Sequence, residues 1–259
     1  MPPGAEGYSP AELMVSAAAR EIRDGEVVFV GMRLPLLGFQ LAKRRHAPNA
    51  LGVFELGIIR ETPAPQPILT MGDLPNLFQA AWLSDTTDLM GLLQSGLVDV
   101  SFIGGAQVDR FGNLNTTYIG DSRQPRIRLP GSGGACDLAC LSQRHIIILP
   151  HEKRRFVPRV DYITSPGYGD GPLWRASVGL PRGGPAAVIT TLAVLRFDPN
   201  STEMVLTSTH PGVAVEEVLA NTGWSLKIAP DLAETPAPSP EELAILRVLD
   251  PLGFWTNWQ

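Results

Sequence analysis

Val27-Val28-Phe29-Val30-Gly31 and Leu51-Gly52-Val53-Phe54-Glu55-Leu56-Gly57 enclose a segment of helical spacing, and this unit decides the fold. Val27 to Val30 is a continuous apolar run, as expected of a strand buried on both faces. Gly31 breaks the run. Leu36, Leu37, Gln40, Leu41 and Arg44 then recur at helical intervals, which predicts a helix over Pro35 to Arg45 with Pro35 in its first turn. Leu51 to Phe54 is a second buried strand, and Glu55 stands directly after it. Open α/β sheets bind ligands at the carboxyl ends of such strands, so Glu55 is the first candidate for chemistry.

The rest of the chain extends the same pattern. Ser9-Pro10-Ala11-Glu12 is a capping box that opens a helix expected to run to about Asp24 and stop at Gly25. Thr62 to Pro67 reads as a proline-rich loop, with short helices expected within Leu74 to Leu83 and over Thr87 to Gln94. Val98 to Ile103 is the next strand. Gly104-Gly105-Ala106-Gln107 follows it, and then a tight turn over Asp109 to Asn115, where Gly112 and Asn113 tolerate positive φ. Gly131-Ser132-Gly133-Gly134-Ala135 opens a helix over Cys136 to Leu141, before a strand at His145 to Leu149. Arg159 to Ile163 and Ala187 to Phe197 are strand-like. Asp198-Pro199-Asn200 turns the chain, and Glu203 to Ser208 returns it as an antiparallel hairpin. A short helix over Val213 to Asn221, a last strand at Trp224 to Ile228 and a connector over Thr235 to Pro240 follow. A second capping box, Ser239-Pro240-Glu241-Glu242, opens a closing helix to about Leu249. The expectation is an α/β fold: a mainly parallel central sheet flanked by helices, with an antiparallel hairpin in the C-terminal half, as one domain over residues 1–259.

Bulk composition narrows the function. Of 259 residues, 44% are hydrophobic and 18% charged, so a packed core is expected. A net charge of -5 and a pI near 5.4 argue against nucleic acid as a partner. No apolar stretch approaches the roughly 20 residues that span a bilayer, so no membrane is expected. The opening MPPGAEGYS has neither the basic nor the apolar region of an export signal, and a cytoplasmic location follows as the expectation. Cys136 and Cys140 are too few for a disulfide framework and read as small core residues.

No metal site is expected. His46, His145, His151 and His210 are scattered, without an HExxH motif or clustered thiols. No GxSxG elbow is present, and neither glycine turn matches GxGxxG or a P-loop. Glu55 and the two glycine turns say more as a set. A carboxylate is a competent nucleophile when the acyl group it attacks is activated, as in a thioester. The attack places negative charge on the carbonyl oxygen, which backbone N–H groups at the Gly133-Gly134-Ala135 helix start can hold. The plainer readings stay open: Glu55 as a surface acid, the glycines as turn formers, Arg33 and Arg60 as solvated cations. His151 to Arg155 reads most simply as an exposed or interface charge cluster, with a contact to an anionic substrate tail as its alternative.

The stretches GEVVFVGMRLPLLG, AKRRHAPNA, FELG, SFIGGAQVDRFGNLNTT, GSGGA, HEKRRFVPRVDYITSPG, LRFD and VLANTG, all in one order, resemble the B subunits of family I CoA-transferases, glutaconate CoA-transferase among them. The resemblance covers nearly the whole chain. It implies that Glu55, in Glu55-Leu56-Gly57, attacks an acyl-CoA thioester and becomes a glutamyl-CoA thioester. It implies oxyanion stabilisation by Gly133, Gly134 and Ala135, and a site lined by Gln107 beside Gly104 and Gly105. It also implies an alpha subunit as hetero-oligomeric partner, acyl-CoA and carboxylic acid substrates, and no bound cofactor beyond coenzyme A as part of the substrate. Two stretches depart from the glutaconate enzyme. Leu56 replaces a serine, and Met32-Arg33 replace small residues. Arg33 in that place either grips a second substrate carboxylate or lies on the rim. Relatives that hydrolyse or decarboxylate acyl-CoA esters make that chemistry the alternative, and a non-catalytic subunit is a third reading.

Overall fold

The computed structural model describes residues 7–257, so the opening segment read above lies outside them in its residues 1–6. In chain order the first elements are α1 (Pro10–Arg20), β1 (Val27–Val30), α2 (Leu34–Arg45), β2 (Leu51–Phe54), β3 (Ile58–Arg60), α3 (Leu74–Leu77), β4 (Trp82–Leu83), α4 (Thr86–Gln94) and β5 (Val100–Ile103). There follow β6 (Gln107–Val108), β7 (Leu114–Asn115), β8 (Tyr118–Gly120), β9 (Pro125–Arg128), α5 (Ala135–Leu141), β10 (Arg144–Ile148) and α6 (Trp174–Ser177). The chain ends with β11 (Pro185–Ile189), β12 (Ala193–Phe197), β13 (Met204–Thr209), α7 (Val215–Ala220), β14 (Lys227–Glu234) and α8 (Pro240–Leu249). It folds as two compact units: residues up to Phe102 together with those from Pro236 onward, and Ile103–Thr235.

In the first unit the strand order is β5-β1-β2-β3-β4. The expected strand–helix–strand unit is present. β1 and β2 run parallel, from Val27 opposite Leu51 to Val30 opposite Phe54, and β5 lies parallel on the other side of β1. Val28, Phe29, Val30, Val53 and Phe54 are fully buried, which explains the unbroken apolar runs. β3 and β4 add antiparallel pairs at the other side. Helices α1, α2 and α8 pack on one another. Both predicted capping boxes form, with Ser9 accepting from the Glu12 amide at 3.2 Å and Ser239 from the Glu242 amide at 3.1 Å. Arg20 pairs with Glu242 at 2.8 Å and Arg247 with Glu12 at 3.2 Å. α1 stops at Arg20, four residues before the expected end. There His46 donates its Nε2 hydrogen to the carbonyls of Ala19 and Ile22, each at 3.1 Å, and so satisfies the helix end.

In the second unit the order is β14-β13-β12-β11-β10, with β10–β11 and β13–β14 parallel and the two pairs between them antiparallel. The hairpin expected around Asp198-Pro199-Asn200 is β12–β13. Three expectations are corrected here. Ala187 to Phe197 is two strands, because Thr190 Oγ1 accepts from the amides of Leu192 and Ala193 and reverses the chain. Arg159 to Ile163 is irregular, because the Asp161 amide donates to the side chain of Gln107 and not to a strand. The last strand begins at Lys227 and runs to Glu234; Pro230 is tolerated where the register with β13 shifts. Of the two turn residues that tolerate positive φ, Gly112 adopts it, at 72°.

Candidate active site

Glu55 is the first residue of a three-residue hairpin loop, Glu55 to Gly57, that joins β2 to β3. The Gly57 amide donates to the Phe54 carbonyl at 3.0 Å, and Gly57 adopts φ 99°, the usual arrangement of a turn closed by a glycine bulge. A Cβ on Gly57 would stand 2.1 Å from the Ser84 carbonyl oxygen, so glycine is required twice over. The turn is fixed from outside as well. The Ser84 amide donates to the Gly57 carbonyl at 2.7 Å, and Thr86 Oγ1 donates to the Glu55 carbonyl at 2.8 Å. Only the side chain of Glu55 is left to chemistry. It is half-buried, and among the described residues its carboxylate takes no hydrogen bond or ion pair.

Arg33 lies beyond the same carboxyl end of the sheet. Val30 and Phe54 are paired, so Gly31 and Glu55 each stand one residue beyond adjacent parallel strands. Arg33 is exposed and caps α2 at φ 68° and ψ -126°, with its guanidinium carbon 5.5 Å from the centre of the Trp255 ring. Leu56, 56% exposed, has its Cδ1 against Gly72, where an added Cβ would come within 2.9 Å. Arg60 is not the solvated cation expected. It is 2% exposed and donates to the carbonyls of Thr62, Pro63, Asn76 and Phe78 at 2.6–3.2 Å, tying the loop after β3 to the end of α3.

The remaining candidates belong to the second unit. Gln107 is buried, and both ends of its amide are engaged: Nε2 donates to Asp161 at 3.1 Å, while Oε1 accepts from Asn115 at 2.7 Å and from the Asp161 amide. Its geometry is that of a residue that positions Asp161, whose carboxylate also takes the Gly120 amide at 2.9 Å. Gly104 gives room to the Ile148 carbonyl, 3.1 Å from where a Cβ would stand, and Gly105 to Leu114. In the second glycine turn, Gly131 and Gly133 hold positive φ with open space where a Cβ would be, and Gly134 caps α5. The Ala135 amide donates to the Ser132 carbonyl at 3.0 Å, which leaves the amides of Gly133 and Gly134 as the candidate donors. Cys136 and Cys140 lie half-buried on α5; burial and the neighbouring thiol push Cys140 up to about 11, away from reactivity.

The run from His151 is a mixture. Lys153 and Arg154 are exposed, but His151 is 4% exposed, stacked on Phe156 at 3.9 Å and hydrogen-bonded to Thr190 and Thr222. Burial lowers its pKa to about 4 and that of His210 to about 4. His145, whose buried ring nitrogens have no hydrogen-bond partner among the described residues, is lowered to about 3. These imidazoles are neutral core residues, not acid–base groups at physiological pH. Among the described residues no cluster of His, Cys, Asp or Glu suits a metal, and no helix is long and apolar enough to cross a membrane. Sequence reasoning missed Trp255, Thr86 and Asp161. Nothing in local spacing links residue 255 to residue 33, and Thr86 and Asp161 act through tertiary hydrogen bonds.

Comparison with known proteins places these features in context. Residues 11–221 match the family model described as Coenzyme A transferase. The B subunit of 3-oxoadipate CoA-transferase from Pseudomonas knackmussii is 43% identical, over 94% of each chain. The B subunit of glutaconate CoA-transferase from Acidaminococcus fermentans is 38% identical, over 93% of this chain and 91% of that one. The crystal structure of that organism's enzyme superposes with a TM-score of 0.90 and 35% identity, covering 97% and 98% of the two chains. The IpdB subunit of a cholesterol ring-cleaving hydrolase from Rhodococcus jostii is more distant, 30% identical over 88% of this chain and 86% of the other.

Proposed function

The chain belongs to the coenzyme A transferase family, and from that premise we propose that it is the B-type subunit of an enzyme that moves coenzyme A between an acyl-CoA and a carboxylate through Glu55. The observation that carries the reading is a half-buried carboxylate that has no partner among the described residues, on a turn locked by Gly57 and Thr86, at the end of a buried parallel strand. Rigid backbone under a nucleophile supports near-attack geometry.

In the proposed reaction a Glu55 carboxylate oxygen attacks the thioester carbonyl. The C–S bond breaks, CoA leaves as the thiolate, and a mixed acyl-glutamyl anhydride remains. The thiolate then attacks the glutamyl carbonyl, and the donor acid leaves as its carboxylate. Glu55 is left as a glutamyl-CoA thioester, and the acceptor carboxylate runs the two steps in reverse. The resemblance assigns oxyanion stabilisation to the glycine-rich segment, for which the amides of Gly133 and Gly134 are the proposed donors. The relatives are named as B subunits, which supports an A-type partner for this chain. Their names specify 3-oxoadipate and glutaconate, and the acid proposed here is likewise a dicarboxylate. Hydrolysis or decarboxylation is disfavoured by the ranking of relatives, 43% and 38% for the transferases against 30% for the hydrolase subunit.

The test is CoA exchange by the chain assembled with its A-type partner. Glu55→Ala should abolish transfer, and Glu55→Asp should leave little, because the carboxylate retreats by about one methylene. Unchanged turnover in Glu55→Ala removes the covalent role. Loss of acyl-CoA without appearance of an acceptor ester moves the assignment to hydrolysis.

A further inference from the structure

We propose that Arg33, whose guanidinium lies over the Trp255 ring, selects acids that carry a second negative charge, and that the carboxyl-terminal turn holding Trp255 forms part of the acid-binding wall beside Glu55; this rests on the CoA-transfer reading. Three observations within the first unit carry it. Glu55 follows directly on Phe54, and Arg33 stands in the turn after its paired residue Val30, at the same carboxyl end of two adjacent parallel strands. A substrate whose reacting carbonyl meets Glu55 therefore lies across the carboxyl ends of strands that Arg33 borders. Its distal carboxylate would be repelled by Glu55 unless a cation stood near.

Second, the backbone of Arg33 is strained. A φ of 68° with ψ of -126° suits glycine, not a long side chain. The conformation is held by the amides of Leu36 and Leu37, which donate to the Arg33 carbonyl at 3.1 and 3.4 Å. A glycine at this position would relieve the strain, so an arginine here stands against local preference, and such outliers gather at ligand clamps.

Third, the guanidinium has a fixed platform. Trp255 Nε1 donates to the Leu69 carbonyl at 2.9 Å, and Phe254 packs its ring edge-on at 4.6 Å. The buried Asp250 carboxylate takes the amides of Phe254, Trp255 and Thr256 at 2.6–3.0 Å. A guanidinium grips a carboxylate through its N–H groups, in its own plane. The exposed side chains of Met32 and Leu56 offer apolar contact to the methylenes between the two carboxyl groups.

The experiment measures CoA transfer by the assembled complex to glutarate and to butyrate, as matched dicarboxylate and monocarboxylate acceptors. In Arg33→Met the ratio of kcat/KM for glutarate over butyrate should fall roughly 10- to 100-fold, mostly through KM, as expected for one charge-assisted hydrogen-bonded pair. Arg33→Gly should lose the same selectivity while melting no lower than the parent, since it relieves the backbone. Trp255 is a positioning residue: Trp255→Leu should lower the ratio and Trp255→Phe should keep most of it. An unchanged ratio in Arg33→Met and Arg33→Gly overturns the proposal while leaving Glu55 in place. A complex that transfers CoA to neither acid and forms no adduct at Glu55 overturns the underlying reading and this proposal with it.

Discussion

At the scale of single residues, the position of the Glu55 carboxylate depends on Gly57. A side chain there meets the Ser84 carbonyl and a backbone at φ 99°. Gly57→Ala should therefore destabilise the first unit by about 1–3 kcal/mol and lower transfer further than the stability loss explains, because the turn carrying Glu55 must shift. Urea unfolding and kcat measured on one preparation check this; a stable variant with full kcat would show that the turn tolerates a Cβ. Glu55 and Gly57 were legible in the sequence, since an acid at a strand end followed by a glycine is a local signal. Arg60 was not. A lone arginine looks solvated, and only folding brings the carbonyls of Thr62, Pro63, Asn76 and Phe78 around it. Trp255 was illegible for the same reason.

At the scale of elements, the β1–α2–β2 unit and the two capped helices were readable because their signals are periodic or local. The misreadings fall where side chains take over backbone bonding. Thr190 turns a run that looked like one strand, and Gln107 holds the segment around Asp161 out of a sheet. Arg60 makes the same kind of link between β3 and α3, so Arg60→Met should loosen the segment 62–78 more than the strands beside it. Leaving those carbonyls without donors should cost about 2–4 kcal/mol. Hydrogen exchange should show faster amides at Asn76 and Phe78 with β1 and β2 still protected; uniform protection would remove Arg60 from this role. The cap at Ser239 offers a smaller effect: Ser239→Ala should cost about 1 kcal/mol, read as a lowered Tm.

At the scale of the whole molecule, the buried imidazoles make stability depend on pH. His145, His151 and His210 are held neutral, at about 3, 4 and 4 against an ordinary value of 6.5. Below 6.5 the unfolded chain binds protons that the folded chain refuses, so stability present above 6.5 is lost as pH falls toward 4. Each group contributes a slope of up to about 1.4 kcal/mol per pH unit. Asp109, pushed up by burial, acts in the opposite sense at acid pH, but it is one group against three. The urea midpoint should be flat from pH 8 to 7 and fall steeply between 6.5 and 4; a flat profile throughout would mean the imidazoles are solvated. On the proposed reading, catalysis too belongs to the assembled complex, and its centre is a covalent bond to Glu55. The most direct measurement treats the complex with acyl-CoA in the absence of acceptor, traps it with hydroxylamine and maps the peptides by mass spectrometry. The account predicts a hydroxamate on Glu55 alone, lost when acceptor acid is added before the trap. Transfer proceeding with Glu55 unmodified, or with the adduct on another residue, would contradict it.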